Sequence, residues 1–379
     1  QVVHVIAGGP SKKVGVQDGD KIIFVDTAKV AGIGINNDGV FKALRGKKGT
    51  KVNIRVKRFG SPELLAFEII RDKIPIYAIG AQYMATPDIG YVKLERFSAT
   101  ATEETQKAID SLKKEGAQKI ILDLTGNGGG YLNQAHELSD LFLANDKLVV
   151  YSEGRSQPRI DLTATEKGNF EKGDLVIMVD QNTASASEIV SGAVQDWDRG
   201  LIVGRRTYGK RLIKKGYMLP DLSAVRLTMA YYYTPSGRNI QKPYVKGADE
   251  YKEDIEERYE SGELFDSSKI KVVDSTKYYT NNKRIVYGGG GITPDIFVGL
   301  DTLWHSNFYG KLVRSGSFNQ FILSYVDANR NALEIQYPSL DKFIKEFKTD
   351  SSFMQQFYAF AKQKKAVPDS AENFSQSIP

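Results

Sequence analysis

The chain has 379 residues, 52 lysines and arginines against 46 aspartates and glutamates, a formal charge of +6 and no cysteine. That length exceeds what one hydrophobic core serves, so two or three domains are expected, and the missing cysteine excludes thiolate chemistry and Cys-ligated zinc. Charges of both signs are interspersed, which argues against nucleic-acid binding, and the three histidines, His4, His136 and His305, are too scattered to suggest a metal site.

No apolar run approaches the roughly 18 residues a membrane span needs. The opening "QVVHVIAGGP" has neither the basic start nor the apolar stretch of a signal peptide. It reads as a strand already inside a domain, so the natural chain is expected to begin earlier. From Val2 to about Arg71 the pattern is β-rich: "VVHVI", "KIIFVD", "KVNIRVKR" and "LLAFEII" are separated by turn signals such as "GGPSKKVGVQDGD", with one helix over 37–44.

After Pro75 the texture changes to alternating strands and helices. "GYVKLERF" is a strand, and Thr100 with Glu103 has capping-box spacing for a helix that stops at Gly116. "KIILDL" and "LVIMVD" are continuous apolar runs suited to strands buried on both faces. "YLNQAHELSDLFL" and "SEIVSGAVQDW" are helical and "LIVG" is another strand, which together predict a layered α/β core. "RLIKKGYML" and "SAVRLTMAYYYTP" return to β, the acidic stretch 249–274 reads as a surface excursion, and beyond Asp301 three segments have helical spacing. The final "DSAENFSQSIP" is polar and expected to fray.

Two stretches invite chemistry. "DLTGNGGGYL" is a strand, a glycine loop and a helix, and such loops expose N–H groups able to hold an anion. A dinucleotide-binding G-x-G-x-x-G needs glycine where Tyr131 stands; Gly126 and Gly128 fit, and Glu153 is a distant acidic partner. An oxyanion hole or a plain tight turn fits the same loop. In "QNTASASEIVSG", Ser185 and Ser187 precede Glu188, a pattern that a helix N-cap alone would satisfy. A nucleophilic serine also needs a base, and nothing marks His136 for that role. A lysine half-neutral near pH 7 needs about 4 to 5 kcal/mol from its surroundings, which burial can supply. Lys210, after "LIVGRRTYG", has a placement that permits it.

"NTASASEIVSGAVQDWDRGLIVGRRTYGK" closely resembles the catalytic segment of the carboxyl-terminal processing (tail-specific) proteases. "ILDLTGNGGGYL", "LTMAYYYTPSGRNIQ" and "GGGGITPDI" resemble three further signature stretches in the same order. "VIAGGPSKKVGVQDGDKIIFVD" resembles a PDZ domain that lacks its beginning, where the carboxylate-binding loop lies. The resemblance runs from about Val2 to Val298. It implies a PDZ domain at 1–72, a crotonase-like α/β serine protease core at 73–300 and a helical extension at 301–379.

By the same resemblance Ser185 is the nucleophile and Lys210 its base, with no cofactor. Main-chain amides of Ala186 and of Gly129 and Gly130 form the oxyanion hole. The PDZ domain binds the C-terminal tail of a protein substrate, in the bacterial periplasm or cell envelope. The chain departs from the family where Thr125 replaces a frequent arginine, Gly128 a proline, and Lys214 a glutamine that orients the base. Strand alternation would put Lys210, Leu212 and Lys214 on one face, making Lys214 a candidate third catalytic position. A PDZ-bearing scaffold without turnover remains the alternative, with Lys214 as its best support. The helical tail leaves open whether it closes a homo-oligomer or covers the site.

Overall fold

A computed structural model describes residues 1–6, 8–74, 77–166, 168–221, 223–242, 248–272, 274–301 and 307–368. The chain divides into two compact units, one of Gln1–Ile76 with Asp301–Pro379 and one of Tyr77–Leu300. His305 and the polar end after residue 368 lie outside the described residues. No helix among the described residues is long and apolar enough to cross a membrane.

The first unit begins with α1 (Pro10–Lys13), β1 (Lys21–Val25), β2 (Ala28–Lys29), α2 (Asn37–Leu44), β3 (Lys51–Lys57) and β4 (Leu65–Ile70). The strands form one antiparallel sheet in the order β2-β1-β3-β4. In β3 every second residue, Val52, Ile54 and Val56, is buried, as a sheet with one wet face requires. The expected strand at 2–6 does not form; Val2 instead exchanges backbone bonds with Gly19 and Asp20. An apolar cavity of about 440 Å³ lies among Val5, Ile22, Leu44, Val52, Ile54 and Ile69.

The second unit runs β5 (Ile79–Thr86), β6 (Ile89–Leu94), α3 (Ala101–Lys114), β7 (Lys119–Asp123), α4 (Leu132–Asp140), β8 (Leu148–Gly154), β9 (Gln157–Thr163), β10 (Leu175–Val179), α5 (Ala186–Asp196), β11 (Leu201–Gly204), β12 (Leu212–Met218), β13 (Ala224–Tyr233), α6 (Ala248–Glu260), β14 (Asp274–Tyr279), β15 (Ile285–Gly288) and β16 (Ile296–Phe297). A six-stranded sheet has the order β16-β11-β10-β7-β6-β5, parallel except for β5 against β6. A second, antiparallel sheet has the order β12-β13-β8-β9. The apolar runs of β7 and β10 sit in the middle of the parallel sheet, as expected of strands covered on both faces.

Two sequence expectations change in this unit. Thr100 bonds Glu104 rather than Glu103, which pairs with Lys107 instead. The acidic excursion is not merely surface, because Arg258 and Glu263 are buried in it. Glu263 is where the guanidinium groups of Arg206 and Arg258 meet, and Arg258 also donates to the carbonyls of Arg206 and Thr207. Counting charges along the chain hid this, since both arginines find their carboxylate through tertiary contact.

The tail of the first unit is helical: α7 (Asn307–Arg314), α8 (Ser317–Gln336), α9 (Leu340–Glu346) and α10 (Ser351–Gln363). Phe308, Leu312, Phe321, Phe357 and Ala361 form its core. Stacked and edge-on rings, such as Phe318 on Phe357 at 5.2 Å and Phe321 on Phe357 at 5.3 Å, fill it.

Candidate active site

Three neighbouring parallel strands, β7, β10 and β11, release the chain at their carboxyl ends into three loops, where open α/β sheets hold their sites. The first loop carries Thr125 to Gly130, the second Asp180 to Ser185 and the third Arg205 to Lys210.

The second loop turns sharply into α5. Ser185 precedes the helix with φ 58 and ψ −114, a left-handed conformation that a residue with a Cβ adopts at a cost of about 1 to 3 kcal/mol. Side-chain hydrogen bonds to the backbone secure the strained turn. The Asp180 carboxylate accepts from the amides of Gly126, Asn182 and Thr183, and the Thr183 hydroxyl contacts both Asp180 and the Leu124 carbonyl. Asn127, fully buried in the glycine loop, accepts at its carbonyl from the Ala184 amide and the Ser187 hydroxyl.

Glycine is required where the two loops touch. A Cβ on Gly129, whose φ is +93, would lie 2.7 Å from the Ala184 carbonyl oxygen and 2.8 Å from the Ala186 nitrogen and Ser185 Cβ. The Gly129 N–H donates to Asn127 Oδ1 at 2.9 Å. Among the described residues, no acceptor is found for the N–H groups of Gly130 and Ala186. Of the two loop glycines named in the sequence, Gly129 thus has its amide committed and Gly130 does not.

Glu188 links the second and third loops. Its side chain is completely buried. One carboxylate oxygen accepts from the Thr207 hydroxyl at 2.5 Å and the Gly209 amide at 2.7 Å; the other accepts from the Ser185 amide at 2.8 Å and the Lys210 amide at 2.9 Å. Burial pushes the Glu188 carboxyl up, and the Thr207 hydroxyl and the Lys210, Gly209 and Ser185 amides pull against it. All four partners are donors, so the arrangement needs the carboxylate. The Ser185 and Lys210 amide nitrogens are held within two hydrogen-bond lengths of each other.

The motif "GGGGITPDI" seats the third loop from behind. The Thr207 amide donates to the Ile292 carbonyl, the Ile292 amide donates to the Thr207 hydroxyl, and Gly209, at φ +82, passes within a Cβ's reach of Gly291 and Ile240. Lys210 is half-buried and lies before β12, not on it. Its ammonium and the Ser185 hydroxyl are not hydrogen-bonded to each other among the described contacts. Lys214 is exposed on β12 opposite Thr228, and Lys210 lies outside that strand, so strand alternation does not extend from one lysine to the other. His136 is occupied elsewhere, with its ring at 2.7 Å from the Thr163 carbonyl.

Three contributors escaped the sequence reading. Glu188 was visible only as a capping partner. Lys93 on β6 reaches Asp123 at 3.1 Å, the Thr125 hydroxyl at 2.8 Å and the Thr125 carbonyl, placing a cation at the root of the glycine loop where Thr125 brings none. Tyr232 on β13 brings its hydroxyl to the carbonyls of Ser185 and Lys210. The residues of that strand alternate "YYY", and only the middle ring is buried.

Residues 88–250 match peptidase family S41, and residues 308–379 match a family of unknown function, DUF8443. The carboxy-terminal processing protease CtpA of Bacillus subtilis (strain 168) is 33% identical over 278 residues, which cover 73% of this chain and 56% of that protein. The carboxyl-terminal-processing protease of Synechocystis is 33% identical over 245 residues, 64% of this chain and 56% of that protein. The chain therefore spans little more than half the length of these curated relatives. Among solved structures, the photosystem II D1 C-terminal processing protease aligns with 80% of this chain and 69% of its own, at 27% identity and a TM-score of 0.43.

Proposed function

We propose that this chain, which carries a peptidase family S41 domain over residues 88–250, is a serine endopeptidase that cuts protein substrates near their C-termini with Ser185 as nucleophile and Lys210 as base. The observation that carries the reading is Glu188, a buried carboxylate that accepts both the Ser185 and the Lys210 amide and so places the two residues side by side.

In the first step neutral Lys210 Nζ takes the proton from Ser185 Oγ as the oxygen bonds to the peptide carbonyl carbon. The carbonyl oxygen gains negative charge and is held by the N–H groups of Ala186 and Gly130. Protonated Lys210 then gives its proton to the leaving amine as the C–N bond breaks. The resulting ester on Ser185 is hydrolysed by water, with Lys210 again as base. Each step uses groups of this chain.

The module at the start of the chain is read as a PDZ domain on the strength of the resemblance. Its apolar cavity of about 440 Å³ has the room and the lining for the terminal side chain of a tail, and Arg45 and Arg71 are the cations of that lining. A periplasmic or cell-envelope location goes with this reading.

A scaffold without turnover is the second reading, favoured by the lack, among the described contacts, of a hydrogen bond between the Ser185 hydroxyl and the Lys210 ammonium. Incubation of purified protein with an unstructured polypeptide between about pH 6 and 9 decides. Cleavage that disappears in Ser185→Ala is expected; a wild type no faster than that variant overturns the enzyme reading.

A further inference from the structure

We infer that Tyr232 is a positioning residue for the base, and that its single phenol proton fixes the Lys210 backbone relative to Ser185. The inference rests on the protease reading above and adds a residue to it.

Tyr232 is 2% exposed and its hydroxyl lies 2.6 Å from the Lys210 carbonyl oxygen and 2.9 Å from the Ser185 carbonyl oxygen. A phenol has one proton, so the two carbonyls share one donor. They depend on it unequally. The Ser185 carbonyl also accepts from the Glu188 and Ile189 amides at the start of α5, at 2.9 and 3.1 Å. Among the described contacts, the Lys210 carbonyl has only the phenol, at the shorter distance.

The ring cannot easily turn away. The Tyr232 amide donates to the Arg211 carbonyl at 3.1 Å, which ties β13 to the residue beside the base. On the strand's opposite face, Tyr231 and Tyr233 hold the Arg211 guanidinium at 4.2 and 4.8 Å from their ring centres. Lys210 is therefore gripped at its N–H by Glu188 and at its C=O by Tyr232, and Ser185 by the same two side chains in the same order. Two backbones held at both ends leave only side-chain torsions free, which is how an irregular loop can present a base with the precision of a regular element.

Loss of the hydroxyl should loosen Lys210 more than Ser185. In Tyr232→Phe, kcat is expected to fall about 10- to 100-fold with KM within about threefold. Replacement of Tyr232 by 4-aminophenylalanine, which restores an N–H donor at the same place, is expected to recover kcat. Backbone hydrogen exchange of Tyr232→Phe should rise in the peptide containing Lys210 and much less in the one containing Ser185. A kcat within twofold of wild type, or no recovery with the amino side chain, overturns the inference. Failure of both variants to fold would make the phenol a folding residue and overturn it too. Wild type against Ser185→Ala tests the protease reading separately. The exchange measurement needs no turnover, so unchanged exchange at Lys210 sinks the positioning role whatever becomes of that reading.

Discussion

Glu188→Gln tests whether one carboxylate holds the proposed Ser185–Lys210 dyad together. The glutamine amide keeps an oxygen at one end and presents an NH2 at the other. Either the Thr207 hydroxyl and Gly209 amide, or the Ser185 and Lys210 amides, then face a donor instead of an acceptor. Hydrogen bonds to a charged acceptor contribute about 1.5 to 3 kcal/mol each, so two lost bonds come to about 3 to 6 kcal/mol. Burial of the charge, which pushes the carboxyl up, is relieved at the same time and offsets part of that loss. A net destabilisation of about 2 to 4 kcal/mol is expected, read as a lowered denaturation midpoint with an unchanged denaturant slope. The Thr207 hydroxyl can rotate to accept and two backbone amides cannot, so the NH2 is expected to settle against Thr207 and Gly209. The Gln oxygen then keeps both dyad amides, but as a neutral acceptor. On that account kcat falls about 10-fold in Glu188→Gln, and about 100-fold or more in Glu188→Ala, where both amides lose their acceptor and shifts near 1 Å become free. Steady-state cleavage of an unstructured polypeptide gives both numbers. If Glu188→Ala folds and keeps kcat within threefold of wild type, the bridging carboxylate is not what aligns the dyad.

Gly129→Ala places a methyl group against the Ala184 carbonyl, the Ala186 amide and Ser185 at a positive φ, so kcat should fall by at least about 10-fold while the fold survives; an unaffected rate would show that the two loops do not meet as described. Lys93→Met leaves Asp123 buried without its cation, and a loss of about 3 kcal/mol is expected by chemical denaturation. Burial alone would push the Asp123 carboxyl up, but bonds from Tyr91 and from the side chain and amide of Thr125, with the Lys93 charge, outweigh it and hold it below the usual range. Asp123 thus contributes stability at neutral pH that is lost as pH falls through its depressed value. Circular dichroism should show Lys93→Met unfolding at a higher pH than wild type, and coincident acid transitions would refute the pairing. Lys214 is exposed beyond a β-bulge, so Lys214→Gln should leave the acidic limb of the kcat/KM profile in place, and a shifted limb would return Lys214 to the reacting groups.

How far the sequence reached depended on whether the deciding contacts were local. Local pattern alone located β7 and β10, from continuous apolar runs, and the tail helices, from apolar residues three and four positions apart. The Asn37–Leu44 helix was legible for the same reason, and the Asn36 side chain caps it by accepting from the Gly39 amide. The strand expected at 2–6 failed because a β-run needs a partner, and the backbone there bonds to residues 19 and 20 outside any ladder. Resemblance picked out Ser185, Lys210 and the glycine loop. It could not show that Gly129 donates to Asn127, nor that Lys93, thirty-two positions before Thr125, supplies the cation there.

Arg206, Arg258 and Glu263 show why a buried ionic cluster belongs behind the loop that carries Lys210, the proposed base. The chain from Arg205 to Lys210 has no regular secondary structure, so its carbonyls have no ladder to satisfy them, and an unpaired buried carbonyl is costly. Arg258 donates to two of them, at Arg206 and Thr207, and its remaining charge is balanced by Glu263. A hydrophobic replacement of the cluster could match its packing but could not serve those carbonyls, so the usual preference for an apolar substitute does not apply here. The neighbouring carbonyl at Lys210 goes to Tyr232, and the amides at Gly209 and Lys210 go to Glu188. Side chains from β13, α5 and α6 thus do for this loop what a neighbouring strand would do in a sheet. As the proposed base for Ser185, Lys210 would depend on that backbone accounting, since its own four-carbon stem supplies reach but little direction.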